Sequence, residues 1–146
     1  MKTLRKLVEH DPSHFRSAKK ETADSLSSVR NSLGFELPPD LNWLLLEHGY
    51  GDCVIVPNLA ECIADTQRFR ESVGLPSRYF VLEDLNDAGV ILLDTTAHGA
   101  VVWIDNHCLG ELQKVEATKI RDADYFPNLA AWAKFKLEDI ESEEST

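Results

Sequence analysis

Residues 32 to 51 read SLGFELPPDLNWLLLEHGYG, and this stretch decides how the chain around it is parsed. Gly34 stands where a helix C-terminus wants a residue free to take positive φ. Pro38 and Pro39 stop the first helix and suit the first turn of the next, because neither carries an N–H that would be left unpaired. Leu41, Leu44 and Leu45 recur at i, i+3 and i+4, so one side of a short second helix is apolar, and Gly49 ends it. The residues write a helix, a sharp corner and a core helix.

Working outward, Leu26, Val29 and Leu33 keep helical spacing on a polar background from Thr22 onward, which predicts an amphipathic helix leading into the corner. Residues 1 to 20 show no clear period and are expected to form a loosely docked N-terminal arm with a helical turn at Leu4 to Val8. After the corner, Gly51 to Pro57 reads as a brief extended segment. Asn58 is the expected N-cap of a third helix through Val73, with Leu59, Ile63 and Val73 inward and Gly74 and Pro76 closing it.

Three apolar runs follow, Tyr79 to Glu83, Val90 to Asp94 and Ala100 to Asp105, separated by LNDAG and TTAHG. Short polar, Gly-containing separators of this kind join antiparallel strands, so a meander is predicted. The runs are continuously apolar rather than alternating, which places the sheet under cover on both faces. Val115 to Ile120 is expected to add an edge strand. Pro127 and Asn128 then start a last helix with Leu129, Trp132, Ala133, Leu137 and Ile140 on one side. The predicted class is α+β, with a mostly antiparallel sheet of about four to six strands and helices packed on it. One domain spans residues 21–140, with the arm before it and an acidic tail at 141–146.

With 146 residues, such a domain buries roughly two-thirds of its unfolded surface and needs no metal or disulfide to hold it. The sequence has no apolar run of membrane-spanning length, and its start, MKTLRKLVEHDPSHF, has no signal-peptide apolar core. Cys53, Cys62 and Cys108 are an odd, widely spaced set that fits a reducing compartment and small apolar packing roles. The expected location is cytoplasmic. The formal net charge is −10, with 15 basic and 25 acidic residues. Residues 1–20 carry +4, residues 137–146 carry −5, and the middle keeps −9. Within it, Tyr79 to Gln113 has no Lys or Arg, yet holds Glu83, Asp84, Asp87, Asp94, Asp105 and Glu111. A field of that sign repels nucleic acid and attracts basic proteins.

The residue types that carry chemistry are scattered. His107 and Cys108 are adjacent and would point to opposite faces of a continuing strand, which does not make a nucleophile and its base. Cys53, Cys62, His107 and Cys108 lack the close ligand pairs of structural zinc sites. His10 and His14 are four apart, but Pro12 lies between them and no zinc-hydrolase motif surrounds them. Gly49 and Gly51 are followed by Asp52, which puts negative charge where a phosphate would sit. No G-x-S-x-G elbow is present. The expectation is no catalytic residue, no cofactor and no metal.

The corner GFELPPDLNWLLLEHG, followed after a helix by LDTTAHGAVVWID, resembles the SUKH superfamily, which includes the fungal Smi/Knr cell-wall regulators. Gly34, Leu37, Pro38, Asp40, Leu44, Leu45 and Gly49 match its first signature. Asp94, Gly99 and Trp103 match its second, an Asp and a Gly flanking a turn before an aromatic in the next strand. The likeness covers about residues 22 to 140 and leaves residues 1–20 outside. It implies a non-enzymatic bacterial immunity protein that binds and neutralises a toxin, with a nuclease among the possible targets. The alternative it implies is an intracellular adaptor with an endogenous partner. Beside it, the residues offer a protein-binding reading of their own. Glu83, Asp84 and Asp87 fall at one strand end and loop, with Asp105 in the same basic-free window, and steer a basic partner or form a plain solvated loop. Trp43 is either core or a partner-facing anchor, while Trp103 and Trp132 are assigned to the core. The tail from Glu138 reads as a solubilising terminus.

Overall fold

In a computed structural model, which describes residues 2–10, 20–48, 59–96 and 99–144, the chain opens with helix α1 (Lys2–His10). Leu4 and Val8, one helical turn apart, are completely buried. The segment expected to be loosely docked therefore adds a helix to the core, and the expected turn at Leu4 to Val8 lies inside it. Its extent is hard to read from sequence because, among the described side chains, Leu4 and Val8 are fully buried, Leu7 is partly buried and the rest are exposed.

Helix α2 (Ala23–Leu33) starts on a reciprocal cap: Thr22 Oγ1 accepts from Ser25 N at 3.1 Å and Ser25 Oγ accepts from Thr22 N at 2.9 Å. It ends on Gly34, whose φ of +85° is left-handed and whose N–H donates to Arg30 O at 2.9 Å. Helix α3 (Pro39–Glu47) follows with Pro39 at its first position, as the corner requires. Leu41, Leu44 and Leu45 are buried. Gly49, the extended segment 51–57 and the Asn58 cap lie outside the described residues. Helix α4 (Leu59–Val73) turns Leu59, Cys62, Thr66 and Phe69 inward, with Ile63 and Val73 only partly buried. Its inner stripe is thus rotated from the one expected.

Strands β1 (Tyr79–Asp84), β2 (Val90–Asp94), β3 (Ala100–Ile104) and β4 (Asp124–Phe126) form one antiparallel sheet in sequential order. The fold class is α+β, a four-stranded meander with helices. The edge strand expected at Val115–Ile120 is instead a 3₁₀ turn, Ala117–Lys119, and β4 supplies the edge. Ala117 and Ile120 are buried three residues apart, a helical rather than a strand period. Helix α5 (Leu129–Glu144) closes the domain, capped by Asn128 Oδ1, which accepts from Ala131 N at 2.8 Å. It continues to Glu144, past the point where the acidic tail was expected to begin; the side chain of Ile140 is outside the described set.

Alternation along the strands builds two cores. Phe80, Leu82, Ile91, Leu93 and Val101 pack with α1, α2, α3 and α5; Tyr79, Val81, Val90, Leu92, Val102 and Ile104 pack with Leu109, Leu112 and Ile120. Helix α4 runs along the outer edge of β1. Thr66 Oγ1 accepts from Val81 N at 2.9 Å, and the Cys62 thiol donates to Leu82 O at 3.1 Å, so side chains satisfy an edge that would otherwise offer itself for pairing.

The α2–α3 corner and the β2–β3 turn meet in space. A Cβ on Gly99, whose φ is +73°, would stand 3.3 Å from Pro38 Cγ. The β2–β3 turn is therefore seated on the α2–α3 corner, with glycine required both for its backbone and for its closeness.

Candidate interaction surface

The other end of the sheet, where β1 turns into β2, gathers the acidic residues. Register places Glu83, Ile91, Trp103 and Asp124 in one row across all four strands. One step further lie Asp84, Val90 and Ile104, then the 3₁₀ turn Asn86–Ala88 carrying Asp87, and Asp105 after β3. The structure separates this set into two kinds. Asp84 Oδ2 accepts from Arg68 at 2.7 Å, and Glu83 is 3.7 Å from Lys136 Nζ. The stretch without cations in sequence thus receives two from α4 and α5. Asp87, Asp105 and Asp124 are exposed, and among the described residues no cation pairs with them.

Beside these carboxylates lies an aromatic patch. Trp103 is half-buried rather than core, and its indole N–H donates to Ala88 O at 2.8 Å, which ties the ring to the turn that bears Asp87. Its ring centroid is 6.2 Å from Trp132 and 6.3 Å from Phe135, and Phe126 is 5.3 Å from Phe135. Trp132 is buried beneath, stacked on Phe135 at 5.7 Å. Phe135 is 40% exposed. Glu138 and Asp139, three and four residues along α5 and both exposed, share its side of the helix. Sequence reading passed over Phe126 and Phe135. The available signal was an aromatic at the flank of the α5 apolar stripe, between Lys134 and Lys136 and one helical turn before Glu138 and Asp139.

Trp43 is elsewhere. It is half-buried on α3, with the Arg5 guanidinium 4.9 Å from its centroid and the His48 ring edge-on at 5.1 Å. It does not join the acidic set. His107 and Cys108 lie in a 3₁₀ segment, Asn106–Gln113, not in a continuing strand. A hydrogen bond with Glu111, then burial, push the Cys108 thiol up, the direction opposite to an activated nucleophile. Cys62 and Cys108 belong to the two different cores on opposite faces of the sheet, which keeps them from sharing a metal. Cys53, His14 and the side chain of His10 lie outside the described residues. Among the described residues, no helix is long and apolar enough to cross a membrane.

A polar pocket of about 270 Å³ opens near Arg78, Tyr79, Asp94, Thr96, Glu116 and Tyr125. Its charged members are partly committed to one another: Arg78 donates to Tyr79 Oη at 3.0 Å and stands 3.4 Å from Asp94. Asp94 Oδ1 also accepts from Thr96 N at 2.9 Å and Thr96 Oγ1 at 2.7 Å. Asp94 thus holds a turn together.

These features define a class: an α+β domain built on an antiparallel meander, with an aromatic patch and carboxylates at one end. The model of the family described as SUKH_5, SMI1-KNR4 cell-wall, matches residues 2–137, and the chain belongs to that family. The match includes α1. A search of curated proteins finds no match.

Proposed function

We propose that this chain is a non-catalytic, cytoplasmic protein of the immunity type that binds and neutralises a cognate toxin effector domain. Family membership supports the protein-binding class, and the aromatic patch flanked by unpaired carboxylates is the observation that carries the choice of partner. Partly exposed aromatics at the centre of a contact supply most of its affinity, while surrounding charge selects the partner and speeds encounter. A toxin that acts on nucleic acid presents a basic surface. An acidic protein covers that surface by steric occlusion while competing electrostatically with the substrate. The partner is a protein; neither nucleic acid nor a membrane is the expected ligand.

The description of the matching family as a cell-wall family favours a second reading, an adaptor that binds an endogenous partner without inhibiting it. Co-expression with the product of the adjacent gene, scored for rescue of growth, separates the two. Growth rescue with one-to-one copurification is the expected outcome. Copurification without rescue rejects neutralisation and supports the adaptor.

A further inference from the structure

Among the described residues, four aromatic rings are covered by arginines of the chain itself. Arg5 lies 4.9 Å from the centroid of Trp43, Arg68 4.7 Å from Phe69, Arg70 5.5 Å from Phe35 and Arg78 4.9 Å from Tyr79. In two of them a carboxylate completes the arrangement. Arg68 donates to Asp84 at 2.7 Å and to Asp65 at 3.1 Å, and Arg78 stands 3.4 Å from Asp94. The planar guanidinium suits this placement, because its face stacks on a ring while its edge donates to a carboxylate.

The patch of Trp103, Phe126 and Phe135 has rings and carboxylates without the arginine. Among the described residues no cation lies over any of these three rings, and Lys136 covers only Trp132, at 5.7 Å. Trp103 is bonded to the turn carrying Asp87 and paired in register with Asp124, while Phe135 has Glu138 and Asp139 one turn along its helix. The indole N–H of Trp132, buried under the patch, has no acceptor among the described residues.

We infer that this patch receives an arginine of the protein partner, the guanidinium stacking on Phe135 and Trp103 and its N–H groups reaching the flanking carboxylates. The occupant is a basic segment in which arginine is preferred to lysine, since lysine brings the charge but not the planar fork. The inference rests on the protein-binding reading above and names the chemistry of the contact.

The test uses three peptides of equal length, alternating glycine with arginine, lysine or citrulline, titrated into the full chain labelled with ¹⁵N. The indole N–H resonances of Trp103, Trp43 and Trp132 report the place of binding. The arginine peptide is expected to move Trp103 and leave Trp43 unmoved. The lysine peptide should bind about fivefold more weakly at the same salt, and the citrulline peptide weaker still. Phe135→Ala should remove the arginine preference and lower the melting temperature by about 3–6 °C, since the ring is partly exposed but packs on Trp132 and Phe126. Should that variant unfold, the triple variant Asp87→Asn, Asp105→Asn, Asp124→Asn must lose binding of the arginine peptide instead. Equal binding of arginine and lysine peptides, or shifts at Trp43 in place of Trp103, overturns the inference. No toxin enters the titration, so a failed growth rescue leaves its result standing, and a lost arginine preference leaves neutralisation standing.

Discussion

The two ends of the sheet are built on opposite plans. At the β2–β3 end, Asp94 is nearly buried and accepts two hydrogen bonds from Thr96, Thr95 N and Oγ1 both donate to Arg78 O, and Gly99 is pressed against Pro38. These groups are engaged largely with one another. At the β1–β2 end, Asp87, Asp105 and Asp124 face solvent without a described cation, and Phe135 is 40% exposed. Pro38, Asp94 and Gly99, on which the sequence resemblance is read, lie at the closed end, where the turn is seated on the corner. The residues best placed for recognition crowd the open one. Trp103, on which the resemblance is also read, lies in the aromatic patch at the open end.

The contrast can be broken at the closed end first. Gly99→Val combines a left-handed backbone with a contact to a proline that cannot move away, and should cost about 2–3 kcal/mol in urea unfolding. Asp94→Ala strips the acceptor from Thr96 and the counter-charge from Arg78, and should cost about 2 kcal/mol. Gly34→Val has the same left-handed strain but nothing within 4 Å of the added carbon, so about 1 kcal/mol is expected. A Gly34 variant as unstable as the Gly99 one would show that the seat on Pro38 contributes nothing.

At the open end, Asp87→Lys with Asp105→Lys should cost about 1 kcal/mol in urea unfolding, because Asp105 Oδ1 accepts from His107 N at 2.9 Å and caps the following 3₁₀ segment. Association with the partner should slow about tenfold at low salt, with a flatter salt dependence. Unchanged association would remove the steering role. Asp84→Lys is a poor probe of recognition, because it also breaks the bond to Arg68 on α4.

Most of the framework was legible in the residues, and the reason is local. Gly34 and the Pro38–Pro39 pair act on their own backbone, so the end of α2 and the start of α3 follow without any distant partner. The β1, β2 and β3 runs are continuous and bounded by turn residues. The short edge strand was not legible, because three residues, Asp124–Phe126, are too few to show alternation. Likewise, α1 shows its burial only once α5 is beside it. The inward stripe of α4 was misread because Thr66, a polar residue, is buried to satisfy the edge of β1.

By itself the sequence determined the α+β class, the corner, the meander, the family likeness and the sign of the charge, all of which follow from neighbouring residues or from simple addition. Tertiary structure alone decided which carboxylates stay uncompensated, since Arg68 and Lys136 reach Asp84 and Glu83 from helices that are distant in sequence. It also decided that Trp103, Phe126 and Phe135 share one surface. Charge pairing and side-chain contact depend on distance through space, and separation along the chain does not encode that distance.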